Sequence, residues 1–452
     1  MSKKMEKATF KSSIGTFAAV AGSVVGLGNI WRFPYLAGEN GGFAFLIVYL
    51  VVSLLVSLPV MLSEFAIGRS QRSNAMRSFK QISSGPWFLV GFLGVASAYI
   101  IDSFYMVVGG WSLEFLRKSV MNEFAGQTSE QIAEGFNSYV ANGVGPVAWA
   151  EISLCLATII IILGVSKGIE KMNKIMMPTL VCILVILVIN SIFFLPNSQA
   201  GIDFLFHPDF SKITFKTLLT AIGQSFFSLS LGMGAMLTYA SYIQEKEHLP
   251  NTAFRVMIFD STIALLSGLA IFPAVFSFGI DPSSGPHLLF LTMPNIFQQI
   301  IGGRFLSIIF FLFVFMAAIT SQISLLEVVT AYASEELKIK RWKAALGLFF
   351  TMSITGSICA LSQSDLGLFV INGHTMFDIF DYASSNYMMP IGGLLIVIFA
   401  GYVMPERILH SQLTNNGTQR PLPFYYMVIR FLIRFVSPVF ISLMFLNLIG
   451  II

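Results

Sequence analysis

Eleven runs of roughly 20 or more mainly apolar residues follow one another along the chain, near 13–36, 41–68, 87–116, 147–164, 170–194, 215–243, 253–279, 304–335, 343–362, 375–403 and 424–450. About 20 such residues cross the hydrocarbon core as a helix. Backbone groups in lipid must find partners within their own segment or in a closed barrel, and the alternating pattern of a barrel strand is absent. The runs therefore predict an all-α integral membrane protein with eleven transmembrane helices. Only 11% of the residues are charged, against about 25% in a soluble domain, which excludes a water-soluble enzyme, a disordered chain and a nucleic-acid binder. Cys155, Cys182 and Cys359 each sit in an apolar run without pairing or metal-ligand spacing, so they are expected to act as small core hydrophobes. No cleavable leader is expected: the first apolar run is too long and too Gly-rich for one.

The basic residues fix an expected orientation. Twenty of the 27 Lys and Arg fall on one side, among them Lys3, Lys4, Lys7 and Lys11, the group Arg69, Arg72, Arg77 and Lys80, and the group Lys338, Lys340, Arg341 and Lys343. That side is predicted to be cytoplasmic, with the N-terminal segment 1–12 there and the C-terminus outside. The outer segments 117–146 and 195–214 are long enough to carry structure of their own, and 281–303 reads as a re-entrant or lid-like element.

Two runs are unusually rich in small residues: Ala21-Gly22-Ser23-Val24-Val25-Gly26-Leu27-Gly28-Asn29 in the first, and Ser228-Leu229-Ser230-Leu231-Gly232-Met233-Gly234 in the sixth. Taken singly, each also fits close helix packing through small side chains. Glycine inside a helix costs about 1 kcal/mol relative to Ala, and the two runs are the matching first members of two five-helix halves. Interrupted segments so placed point to a binding site between inverted repeats. The halves would be 13–194 and 215–403, with 424–450 as an added eleventh helix.

The run Gly26-Leu27-Gly28-Asn29-Ile30-Trp31-Arg32-Phe33-Pro34, followed by Glu39-Asn40-Gly41-Gly42, resembles the signature of the neurotransmitter:sodium symporter family, bacterial amino-acid branch. So do Ser228 to Gly234 with Tyr239-Ala240-Ser241-Tyr242, and Ala317-Ala318-Ile319-Thr320-Ser321. The resemblance covers the eleven runs, and it lacks the twelfth helix common in the family. It implies helices 1 and 6 broken at mid-membrane and sodium-coupled uptake of hydrophobic L-amino acids by alternating access, in the cytoplasmic membrane of a bacterium. A proton-coupled carrier of the same fold, and a substrate-sensing channel or receptor on this scaffold, are the alternatives.

The resemblance also assigns residues. A first Na+ site is implied at the Val24 carbonyl, Asn29, Ser228 and Asp260, and a second at Gly22, Val25, Ala317, Thr320 and Ser321. Independently, Asp260 is an acid in an apolar span, which marks a functional candidate, and Thr320-Ser321 offers adjacent hydroxyls, a pair that backbone hydrogen bonding alone can explain. The amides of Leu27 and Gly28 with the Tyr105 hydroxyl would hold a substrate carboxylate. Carbonyls of Val24, Phe227 and Ser228 with the Ser230 hydroxyl would hold its ammonium. Gly26 stands where monoamine carriers of the family have Asp, which implies that the substrate brings its own carboxylate. Ile101, Phe227, Met233, Ser321 and Leu325 would form the side-chain pocket, and the adaptable Met233 favours a broad hydrophobic range. Asp260, with Ala264 one turn on, implies that no chloride is required. Arg32 and Asp381 would form an outer gate; Lys7 and Glu335, with Phe10, an inner latch, in which Lys lacks the fork of Arg. Gly168 and Pro178 match an element implied to unwind the fifth helix, although a plain proline kink fits them too. Asp102, beside Ile101, has no partner assignable from sequence.

Overall fold

The computed structural model describes residues 8–195, 197–278, 288–300, 302–416 and 423–451. Nine of the helices among them are long and apolar enough to cross a membrane: Phe43–Gln71, Phe88–Val120, Val144–Ile162, Val165–Phe193, Leu249–Ser277, Gly303–Glu336, Arg341–Ser362, Met376–Val403 and Tyr425–Leu448. We call these spans 2, 3, 4, 5, 7, 8, 9, 10 and 11. A tenth crossing is the pair Ser13–Val24 and Gly28–Glu39, bent by 55° at residues 25–27, called span 1. The run 215–243 is present as two shorter helices, Phe215–Ser228 and Ala235–Ala240, with non-helical backbone between them. We call this segment 6.

Local chemistry explains several of the boundaries. Ser12 caps span 1 by accepting the Gly15 amide at 3.1 Å, which satisfies a donor that the first turn leaves free. Thr214 and Thr217 form a reciprocal cap at the start of segment 6. Short helices occupy the connections at Ser129–Asn142 and Ser198–Phe206, and Leu288–Gln298 is helical just before span 8. The remainder of the stretch read as a re-entrant element includes residues 281–287, outside the described residues. The only strands among the described residues are the two-residue pair Val370–Ile371 and His374–Thr375.

Spans 3 and 8 lie along each other through the centre of the bundle, and glycines let neighbours approach them closely. A Cβ on Gly94 would meet the Gly234 amide nitrogen at 3.1 Å, and one on Gly110 the Ala150 nitrogen at 2.6 Å. Such small-residue contacts hold helices together where no hydrophobic force acts between them. Hydroxyl pairs add hydrogen bonds across the interfaces, Ser57 with Ser225 at 2.6 Å and Ser119 with Ser307 at 2.6 Å.

The cysteines correct one expectation. Cys359 is buried, but Cys155 and Cys182 are exposed on the outer faces of spans 4 and 5. In a membrane chain an apolar run does not distinguish core from lipid, because a small apolar side chain suits both.

Candidate functional site

The helix of span 1 ends where the Val25 amide bonds the Ala21 carbonyl at 2.8 Å, and Val25 itself is extended, with ψ 106°. The chain turns back into helix through Asn29, whose side-chain oxygen accepts the Gly26 amide at 3.1 Å. Segment 6 opens more widely. Ser230, Gly232 and Gly234 all have positive φ, of 53°, 78° and 76°. Ser230 is unusual there for a residue with a Cβ, and its hydroxyl is tied to the Ser23 carbonyl at 2.9 Å. Gly232 leaves no room for a side chain, since a Cβ would run into the Met389 carbonyl oxygen.

These two stretches face each other across a polar cluster. The Asn29 side-chain amide donates to Ser228 Oγ at 3.0 Å, to the Asp260 carbonyl at 3.2 Å and to Asp260 Oδ1 at 2.7 Å. Ser228 donates to the same carboxylate oxygen at 2.8 Å, and Tyr49 from span 2 donates to Oδ2 at 2.7 Å. Asp260 is fully buried, and a buried carboxylate persists only when its lone pairs are met in this way. Gln224 donates to the Gly28 carbonyl at 2.9 Å, which ties the two stretches together a second time.

Beside the cluster lies a tight cavity of about 30 Å³ lined by Val24, Gly26, Gly28, Ile101, Tyr105, Phe227, Ser228, Ser230, Met233, Ser321, Ser324 and Leu325. Leu27 contributes from just outside it, its amide donating to the Tyr105 hydroxyl at 3.3 Å. Gly26 is confined by its surroundings: a Cβ would collide with Ser321 Oγ and meet the Tyr105 hydroxyl at 3.1 Å. Larger ligands therefore require the walls to give, and Met233 and Phe227 are the side chains best able to do so.

The residues of the second implied ion site are partly gathered. Thr320 Oγ1 lies 3.4 Å from the Val25 carbonyl and donates to the Met316 and Ala317 carbonyls at 3.0 and 3.1 Å. Gly22 abuts Asn173 of span 5, whose side-chain oxygen is buried and has no partner among the described residues. Ser321 turns instead toward Gly26.

The two charge constellations differ. Arg32 stacks its guanidinium over Phe227 at 5.0 Å from the ring centre. It makes no ion pair with Asp381, whose Oδ1 accepts the Ser385 hydroxyl at 3.1 Å. On the opposite side of the cavity, Glu335 accepts the Asn74 amide at 2.7 Å; Lys7 lies outside the described residues. Phe10 is buried against Tyr239 and Tyr242, and its amide donates to the Tyr242 carbonyl at 3.0 Å. Gly168 lies in the first turn of span 5, where a Cβ would strike the Ile160 carbonyl oxygen, and Pro178 lies within a helix continuous from Val165 to Phe193.

Several residues at the site went unremarked in the sequence. Glu64 of span 2 accepts the Gly232 and Leu237 amides at 2.8 and 3.2 Å, taking up donors that segment 6 leaves free. Glu327 is fully buried, receives the Tyr242 hydroxyl at 2.6 Å and is gripped by both terminal nitrogens of Arg341. Glu170 of span 5 accepts the Lys11 amide at 2.8 Å, anchoring the approach to span 1. A charged residue inside an apolar run was the available signal for Glu64 and Glu327, the same signal that picked out Asp260. Asp102 is buried, with neither carboxyl oxygen bonded to any described residue.

The model of the sodium:neurotransmitter symporter family matches residues 7–141 and 131–451 of this chain. The chain belongs to that family. An uncharacterized sodium-dependent transporter, YhdH, from Bacillus subtilis is 38% identical over 97% of each chain. A second from Haemophilus influenzae is 33% identical over 98% of each. Among solved structures, that of MhsT in complex with L-phenylalanine superposes with a TM-score of 0.89 at 38% identity, over 98% of this chain and 100% of that one. The family is one of sodium-dependent transporters in membranes, and this chain is a multi-pass member of it.

Proposed function

We propose that this protein is a symporter that couples sodium to the uptake of hydrophobic L-amino acids, aliphatic and aromatic, without chloride. The observation that carries the reading is the convergence of Ser228 Oγ, the Asp260 carbonyl and Asp260 Oδ1 on a single point, now taken by the Asn29 amide nitrogen. Three oxygens around one position suit a hard cation, and rotating the Asn29 amide would add a fourth. Here Na+ is a co-substrate. Thr320, with the Val25 and Ala317 carbonyls, supplies the oxygens for a second ion.

In this reading the bend at residues 25–27 and the opening at 229–234 are mid-membrane breaks of helices 1 and 6 in an eleven-helix chain with inverted repeats 13–194 and 215–403. The substrate carboxylate lies against the Leu27 and Gly28 amides and the Tyr105 hydroxyl, and its ammonium against Val24, Phe227 and Ser228 carbonyls and the Ser230 hydroxyl. Its side chain occupies the pocket of Ile101, Met233, Ser321 and Leu325. Asp260 supplies the negative charge that a chloride ion would otherwise bring, and Ala264, buried one turn on, leaves no polar group to hold one. Arg32 and Asp381 close the outer side. Lys7 and Glu335 close the inner side, and span 5 unwinds between Gly168 and Pro178 to let the second ion leave. The N-terminus is cytoplasmic and the C-terminus external, in a bacterial cytoplasmic membrane. Each ion or substrate drives the cycle only by its unequal affinity for the two states.

The test is uptake of labelled phenylalanine or leucine into proteoliposomes under an imposed sodium gradient, with the proton gradient collapsed and chloride replaced by gluconate. Accumulation that persists in gluconate and stops when sodium is exchanged for potassium supports the reading. Asp260→Ala is expected to reduce uptake at least 100-fold, since each 1.4 kcal/mol of lost ion affinity is about tenfold. Accumulation driven by the proton gradient alone would overturn the assignment of sodium.

A further inference from the structure

On the outer surface of the bundle, away from the cavity, the first turns of span 1 and the start of span 7 enclose a groove of about 500 Å³ lined by Ser13, Ile14, Phe17, Phe254, Arg255, Ile258, Phe259 and Thr262. Its floor is built by Phe17 lying edge-on to Phe259, with ring centres 5.5 Å apart. Its walls are apolar and open: Ile14 is 74% exposed, Phe254 45% and Ile258 42%. The polar side chains along it are already engaged, with one exception. Thr262 donates to the Ile258 carbonyl at 2.7 Å and Ser13 to Glu247 at 2.5 Å. The exposed guanidinium of Arg255 makes no hydrogen bond or ion pair with any described residue.

The arrangement along the groove is polarised. Arg255 stands in the second turn of span 7, and Thr262 lies seven residues deeper, about 10 Å at the helical rise of ~1.5 Å per residue. An apolar slot thus descends into the hydrocarbon from Arg255, the one cation that lines it among the described residues. Snorkelling alone would carry the guanidinium to the interface, but it does not call for a slot beneath it. The planar fork of Arg matches a phosphate bidentately, and a leaflet carrying anionic lipid supplies phosphate at that depth.

We propose that this groove holds one anionic phospholipid, its phosphate on Arg255 and an acyl chain between Phe17 and Ile258. The lipid would lie against Ser13, Ile14 and Phe17, and so would brace the inner half of span 1 against span 7. That half carries Gly22 and Val24 and leads into Val25, so an occupant of the groove bears on the site from outside the bundle.

Native mass spectrometry of the purified chain, offered equal amounts of phosphatidylglycerol and phosphatidylcholine, tests this without reference to transport. The intact chain is expected to retain one phosphatidylglycerol at least fivefold in preference to phosphatidylcholine. Arg255→Gln, at an exposed position that folding does not need, should lose that preference; Lys340→Gln, exposed at the start of span 9, should keep it. Ile258→Trp, which fills the slot and leaves Arg255 in place, should also lose the bound lipid. Equal retention of the two lipids by the intact chain, or an Arg255→Gln chain that retains phosphatidylglycerol as the intact one does, overturns the proposal. So does displacement by millimolar glycerol phosphate, which would assign Arg255 to a soluble anion.

Discussion

On the side of the cavity proposed to face outward, Arg32 and Asp381 stand without ion-pair contact, one over the Phe227 ring and the other bonded to Ser385. On the side proposed to face inward, Arg341 holds Glu327 through both terminal nitrogens and also donates to the Ile161 carbonyl at 2.8 Å. Tyr242 completes the inner cluster. Both constellations set an arginine near an acid, yet in one the two are joined around a fully buried Glu327 and in the other they stand apart. A buried, bidentate pair costs several kcal/mol to break because it leaves a naked charge behind. A hydrated pair separates at little cost. The Arg341–Glu327 constellation is therefore the costly one to break, and the proposed gate of Arg32 and Asp381 the one that separates cheaply.

Breaking the Arg341–Glu327 constellation should have the largest effect. Glu327→Ala leaves Arg341 without its carboxylate and is expected to cost about 3–5 kcal/mol, read as a large drop in thermal midpoint in detergent. The double change Glu327→Met with Arg341→Leu should recover most of that loss, because the charges then leave together. If the single change is tolerated as well as the double one, the contrast between the two sides disappears.

The outer pair should behave in the opposite way. Arg32→Gln and Asp381→Asn are each expected to change stability by less than about 1 kcal/mol while lowering amino-acid uptake at least tenfold. Parallel losses of stability and uptake would make the outer residues anchors as well. A smaller difference is expected from ionic strength. Raising choline salts at fixed sodium shortens the screening length from ~10 Å at 0.1 M to ~3 Å at 1 M. Uptake should then shift through the outer pair, while the thermal midpoint, set by the inner one, stays nearly constant.

Helix positions could be read from the sequence because length and apolarity are properties of a run, and they need no partner. The first-span bend also left a local trace, in glycines placed two apart. The residues that steady these features left much less. Glu64 takes amides 168 and 173 positions away, Tyr49 a carboxylate 211 away, and Glu327 a hydroxyl 85 away. Nothing beside them in the chain names those partners. Family resemblance names together residues that line one cavity, whereas the separation of Arg32 from Asp381 depends on side-chain placement that no motif encodes. The outward-facing positions of Cys155 and Cys182 leave no mark in the sequence for a simpler reason, that lipid and protein interior select the same side chains.

One earlier contact limits how this architecture can be borrowed. The amides of Gly232 and Leu237 are satisfied by a carboxylate that belongs to another helix, Glu64. Segment 6 is thus not a portable module. A chimera that transplants residues 228–240 into a foreign scaffold must import the second helix with them, or the graft will wind itself shut.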